Sequence, residues 1–360
     1  MRDDTTSPRN FPPPTPLAEG ELVGELVVRK VLSVGTFGIV YRMTEPAIQV
    51  DVAVKEYLPG HLAMRQGSRA VVPRGPQQAE AFAEGLRHFT DECRLLAGLS
   101  HPSLVQVHGV WEENGTAYLV MAMCTGRNLA DTRLTQWRGP GEASLRTLLD
   151  GLLGALDLLH DRGVLHRDVA PRNIMITPSG APVLLDLGAP RRVAAARGET
   201  GPTGPREGFA PLELYGSAHG RVAGPWTDLY ALAATMHFLI AGRPPAAAQQ
   251  RQAGDRPALA LYRKGDRYTL PFLSVIDWML APEPADRPQS VTEARAALAG
   301  ERIAPPAHQP RRAQRLRAAL HRHRRWLWLA AALAAVGAAV VYAWMLWRSG
   351  LLRWPLRGSD

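Results

Sequence analysis

Two short segments, HRDVAPRN from His166 to Asn173 and VLLDLG ending at Gly188, constrain this chain more than any other feature. Asp168 and Asn173 stand five residues apart, after a helical run and before the apolar pair Ile174 and Met175. Thirteen residues beyond Asn173, a β-branched apolar run delivers Asp186. A loop carboxylate can accept a hydroxyl proton and orient the nucleophile. A neutral amide oxygen and a second carboxylate are hard oxygen ligands suited to Mg²⁺. Chance loop residues account for one such segment, not for both in this order.

A third segment fits the same chemistry. In LSVGTFGIVY, Gly35 and Gly38 fall in a turn between two expected strands, where missing side chains let backbone N–H groups approach phosphate oxygens. VAVK follows, placing Lys55 seventeen residues after Gly38 on the third strand, as a point charge for phosphates. Alone, two glycines in a hairpin mean little. With Lys55 they indicate nucleotide binding.

The wider pattern gives an α+β chain of two lobes. Residues 1–21 are proline-rich and polar and are expected to be a disordered leader. Strand-like runs lie between Leu22 and Tyr57, then a helical period at 77–98, then two strands at 105–110 and 117–123. Helical runs follow at 145–161, 227–241, 273–280 and 291–298. A catalytic domain over 22–300, with a β-rich lobe at 22–122 and an α-rich lobe at 125–300, leaves a cleft between them. Cys93 and Cys124 lack metal-ligand spacing and read as reduced core thiols.

These segments resemble the signature set of eukaryotic-like protein kinases. GFAPLE at 208–213 is similar to the end of an activation segment, and TDLYALA at 227–233 to a buried helix whose Asp228 braces the catalytic loop. DRP at 286–288 supplies Arg287 as the partner of Glu213. The resemblance is strongest to bacterial membrane-anchored serine/threonine kinases, in which sequences like VKEYLP and GFAPLE recur. It implies a bilobal kinase fold, ATP with Mg²⁺ or Mn²⁺ as cofactor, and protein substrates. It further implies that Asp168 is the catalytic base, that Asn173 and Asp186 hold metal, and that Glu92 pairs with Lys55. Ser33, Gly35, Gly38, Val40 and Ala53 then surround the nucleotide, with Met121 as gatekeeper and Met123 in the adenine-contacting hinge at 122–124. Thr200 and Thr203 become candidates for activation-segment phosphorylation, with Arg167 as the phosphate's partner.

Four departures stand against that pattern. Ser33 replaces the first loop glycine, and Leu187 the phenylalanine after the metal-binding Asp. Ala170 replaces the lysine that neutralises the transferring phosphoryl group, a duty that Arg172 is expected to take over. The same Ala/Arg arrangement is reminiscent of tyrosine kinases. The 37 residues from Lys55 to Glu92 imply an insertion at 65–78.

The net charge of +9 belongs to the C-terminal sixty residues, where eleven Arg face Glu301 and Asp360. Eight of these Arg lie in a basic linker (301–325), seven of them between Arg311 and Arg325, before an uncharged run from Trp326 to Trp347. That run of 22 residues, about 33 Å as a helix, is long enough for a bilayer and carries Trp at both ends. A transmembrane helix at 326–347 with an external tail at 348–360 explains the charge better than nucleic-acid binding, and places the catalytic domain in the cytosol at the inner membrane. Ala331, Ala335, Ala339 and Ala343 share one face of it, an arrangement compatible with a homodimer. Two rival readings are a membrane-tethered pseudokinase scaffold, favoured by Ala170 and Ser33, and a small-molecule phosphotransferase, which would not require GFAPLE and Arg287.

Overall fold

The computed structural model describes residues 11–135, 139–186, 206–215, 221–252 and 267–305, with Gly337, Val341, 344–346 and Arg348. The chain divides into two units, Met1–Ala307 and His308–Asp360.

The first unit opens with β1 (Leu22–Val23), β2 (Leu26–Gly35), β3 (Gly38–Glu45) and β4 (Val50–Tyr57). A hairpin, β5 (Ala63–Gln66) and β6 (Ala70–Pro73), precedes α1 (Pro76–Ala97), then β7 (Val107–Glu113) and β8 (Thr116–Ala122). Alternating Val, Ile and Tyr drive the strands into a six-stranded antiparallel sheet in the order β1-β2-β3-β4-β8-β7. Pro76 starts α1, where a missing N–H costs nothing, and Phe82, Phe89, Cys93 and Leu96 form its buried stripe. That stripe packs against β7 and β8.

Strand register sorts the sheet into two faces. Val40 lies opposite Lys55 and Ser33, and Ala53 opposite Met121, so these side chains share one face. Glu56 lies opposite Tyr118 on the other face. There Glu56, fully buried, accepts hydrogen bonds from Tyr41 (2.7 Å), Tyr118 (3.1 Å) and the Arg65 guanidinium (2.6 Å).

Arg65 belongs to the hairpin β5–β6, so most of the insertion expected at 65–78 is a cover for the back of the sheet, and its last three residues open α1. Its Val71 N–H also donates to Asn114 O in the β7–β8 turn. The leader is corrected in the same place: residues 11–21 are not a disordered tail but pack on the small lobe. Leu17 is buried and donates its N–H to Tyr41 Oη (3.1 Å), while Arg65 Nε donates to Thr15 O (2.9 Å). The prolines leave few backbone donors to satisfy, and Leu17 supplies the apolar anchor.

The helical lobe contains β9 (Arg127–Asn128), α2 (Leu129–Thr135), α3 (Glu142–Asp161), β10 (Ile174–Ile176) and β11 (Pro182–Leu184). It continues with α4 (Pro225–Ala241), α5 (Ala248–Gln252), α6 (Leu270–Met279) and α7 (Val291–Ala299). α4 is buried nearly all round and forms the axis of this lobe, ending at Gly242 in the left-handed conformation. The short antiparallel sheet β11-β10-β9 carries the two loops that hold Asp168 and Asp186.

Most of the expected membrane span at 326–347 lies outside the described residues. Gly337, Val341 and 344–346 are helical. Among the described residues, no helix is long and apolar enough to cross a membrane.

Candidate active site

The loop between α3 and β10 is held from beneath by Asp228 of α4. Its carboxylate accepts the N–H of His166 (2.9 Å) and of Arg167 (2.7 Å), and lies 2.9 Å from His160 Nε2. Burial alone would raise the Asp228 carboxyl, but the hydrogen bond and charge of His160, with the loop N–H groups, hold it below the ordinary carboxylate range. These bonds keep Arg167 at φ +62°, a left-handed conformation unfavourable for a long side chain, and so fix the direction in which the next residue, Asp168, departs.

Asp168 is 6% exposed and meets Asn173 closely. Asn173 Nδ2 donates to the Asp168 carbonyl oxygen and to Oδ2, both at 2.8 Å. With the amide nitrogen committed there, the Asn173 oxygen is the atom suited to a hard cation. Asp186, also left-handed at φ +56°, leaves β11 beside it. His166 Nε2 lies 3.0 Å from Leu185 O, and the Leu185 N–H donates to Asn173 O (2.8 Å), so the two loops form one piece.

Lys55 reaches this piece from the small lobe, where its ammonium pairs with Asp186 Oδ1. Glu92, expected beside it, is buried on α1. Burial pushes the adjacent Cys93 thiol up to about 12, with Lys55 pulling it down and Glu92 pushing it further up. Both charges therefore act on the same sulfur. Above Lys55, the turn Thr36–Phe37 joins Gly35 to Gly38. A Cβ on Gly38 would collide with the Glu56 carbonyl oxygen, whereas one on Gly35 would have ordinary room. Ser33 is exposed, Val40 and Ala53 are half-buried, and Met121 is buried opposite Ala53 and Val107. Met123 is half-buried just past the end of β8.

Arg172 and Arg206 reverse the expected order. Arg172, expected to replace the cation missing at Ala170, is 55% exposed, and its Nη2 is 3.7 Å from Asp168 Oδ2. Arg206, which the sequence did not single out, is closer: Nε and Nη2 donate to Oδ1 at 3.2 and 3.1 Å, and Nη2 also donates to Oδ2 at 3.0 Å. Its sole sequence signal was a basic residue two positions before the GFAPLE segment. Farther along that segment, Glu213 and Arg287 form a fully buried pair (2.7 Å), with Thr227 Oγ1 also donating to Glu213 (2.8 Å). Leu187, Thr200 and Thr203 lie outside the described residues.

Two carboxylates, one amide oxygen and one ammonium thus converge where the lobes meet. The oxygen donors fit a divalent cation of the Mg²⁺ type, and the ammonium fits phosphate.

The chain is similar to known proteins over most of its first unit. The family model described as the protein kinase domain matches residues 26–298. Serine/threonine-protein kinase F of Synechocystis sp. is 32% identical over 287 residues, covering 78% of this chain and 56% of that protein. PknA of Mycobacterium tuberculosis, a serine/threonine-protein kinase, is 34% identical over 189 residues, covering 50% and 42%. The chain therefore spans about half the length of these relatives. Among solved structures, PpkA-294 in its apo form matches with 38% identity and a TM-score of 0.69, over 79% of this chain and 99% of that one. The kinase domain of M. tuberculosis PknI matches with 26% identity and a TM-score of 0.58, over 80% and 99%.

Proposed function

The chain belongs to the protein kinase family, and from that premise we propose that it transfers the γ-phosphate of ATP to serine and threonine hydroxyls of proteins. The observation that carries the reading is the joining of Asp168, Asn173, Asp186 and Lys55 at one place by loops bonded to each other. ATP with Mg²⁺, or Mn²⁺ in its place, supplies the phosphoryl group and neutralises its charge. Asn173 and Asp186 are the residues to hold that metal. Lys55 holds the phosphates, and Gly35 and Gly38 let the backbone of the β2–β3 turn close over them. Asp168 orients the acceptor hydroxyl and takes its proton.

Kinase F and PknA are named serine/threonine kinases, which favours those hydroxyls over tyrosine. Phosphorylation of Thr200 or Thr203 by the kinase itself is part of the same proposal, as is an anchor formed by 326–347 that holds the catalytic unit at the inner face of a membrane.

Asp168→Asn and Lys55→Met should each slow transfer from labelled ATP to casein by about a hundredfold or more, with the circular dichroism spectrum unchanged. Turnover like the wild type's in either variant removes the assignment. A wild type that binds ATP and never transfers phosphate, even to itself, points to the scaffold reading.

A further inference from the structure

Both oxygens of Asp168 are engaged. Oδ1 accepts from Arg206 Nε and Nη2, and Oδ2 accepts from Arg206 Nη2 and Asn173 Nδ2. A carboxylate so occupied takes a hydroxyl proton only after the guanidinium moves off one of its oxygens. Two residues along the loop, Ala170 is buried and carries no charge. Arg172 is more than half exposed, and water weakens its pull on Asp168.

Arg206 is better placed than either. Its side chain is 23% exposed, and its carbonyl accepts the N–H groups of Phe209 (3.1 Å) and Ala210 (2.8 Å). The turn so formed runs directly into Leu212–Leu214, where Glu213 is locked to Arg287 in the core. The guanidinium is thus presented from an anchored backbone, on a side chain that remains partly open to solvent. A phosphoryl group beside the acceptor hydroxyl offers a planar guanidinium fork the same bidentate pairing that a carboxylate does.

On the kinase reading above, we infer that Arg206 is a catalytic residue: with nucleotide and acceptor bound, its guanidinium passes from Asp168 to the transferring phosphoryl group, supplying the charge that Ala170 lacks. The move frees the carboxylate oxygen that receives the acceptor's proton. The acceptor oxygen then forms its bond to phosphorus as the bond to the ADP oxygen breaks, and the electron pair stays on ADP. Arg206 carries no proton and is unchanged at the end.

The test uses the full-length protein with ATP, Mg²⁺ and casein as acceptor, comparing the wild type with Arg206→Ala, Arg206→Gln and Arg206→Lys. Ala and Gln should lower kcat and kcat/KM together by about a hundredfold, leaving KM for ATP within about twofold and nucleotide binding intact. Lys, which keeps charge without the fork, should recover about tenfold of the loss. Gln decides the matter if the Ala variant does not fold. Unchanged kcat in the Ala and Gln variants overturns the inference by making the contact merely structural, and raised kcat overturns it by making Arg206 an inhibitory latch. A wild type that binds ATP without transferring phosphate overturns the kinase reading itself, a result distinct from either.

Discussion

His237 shows how a single buried residue sets a limit on the conditions in which this fold persists. It lies on α4 at 5% exposure, with Nδ1 3.1 Å from the carbonyl oxygen of Arg243, which makes Nδ1–H the donor. Burial pushes its pKa down to about 4, with the Arg251 and Arg243 cations acting in the same direction against that hydrogen bond. The unfolded chain would protonate His237 near its ordinary value of 6.5, so between pH 6.5 and 4 the unfolded state binds the extra proton. The contribution is therefore complete above pH 6.5 and lost progressively down to about pH 4, amounting to about 3 kcal/mol. His237→Asn, which keeps a donor for Arg243, should flatten this acid limb in urea unfolding at pH 7 and pH 5. An unaltered difference between the two pH values would show that His237 does not set it. Position along the chain gave no hint of this, because burial of a helix residue on all sides depends on what the other helices bring to it.

The contact between α1 and β4 is the element-scale link between the nucleotide face and the rest of the small lobe. Tyr57, two residues after Lys55, stacks on Phe82 (5.6 Å between centroids) and Phe89 (5.4 Å) of α1. Gly85 leaves room between them for the Tyr57 hydroxyl, where a Cβ would collide. A helix-interior Gly→Ala change ordinarily gains up to about 1 kcal/mol, but overpacking against a rigid stacked ring costs about 1–3 kcal/mol, so the clash wins. Gly85→Ala should therefore lower stability and displace α1, reducing phosphoryl transfer as well. In a Tyr57→Phe background most of the stability loss should vanish, because the colliding oxygen is gone. An equal loss in both backgrounds, measured by denaturant unfolding, would assign the effect to something other than this contact. The helix itself was legible from its apolar period, and the strand of Lys55 from its alternation. Their mutual fit was not, since it depends on one missing side chain facing one hydroxyl.

At the scale of the whole molecule, what sequence revealed and what it hid follow from how far apart the partners lie. Asp168 and Asn173 are five residues apart in one loop, and that spacing is itself the signal. Arg206 meets Asp168 across 38 residues, and Arg65 places its charge on Glu56 through a hairpin with no spacing rule, so neither contact could be read in advance. The basic C-terminal segment is the opposite case, since its message lies wholly in composition and order. Seven Arg stand between 311 and 325, then come 22 uncharged residues, then Arg348, Arg353 and Arg357. Positively charged flanks resist translocation, and the side with more of them stays in the cytosol. The difference of seven against three favours the catalytic side remaining where ATP and Mg²⁺ are plentiful. A periplasmic reporter fused after Asp360 should accordingly be active, and a cytosolic reporter at the same junction silent. Replacing Arg311, Arg312, Arg315, Arg317, Arg322, Arg324 and Arg325 by Gln should reverse or scramble that result, because only the three later Arg would remain near the proposed span. A cytosolic signal from the unaltered chain would contradict the proposed topology of 326–347, while leaving the chemistry of the catalytic unit untouched.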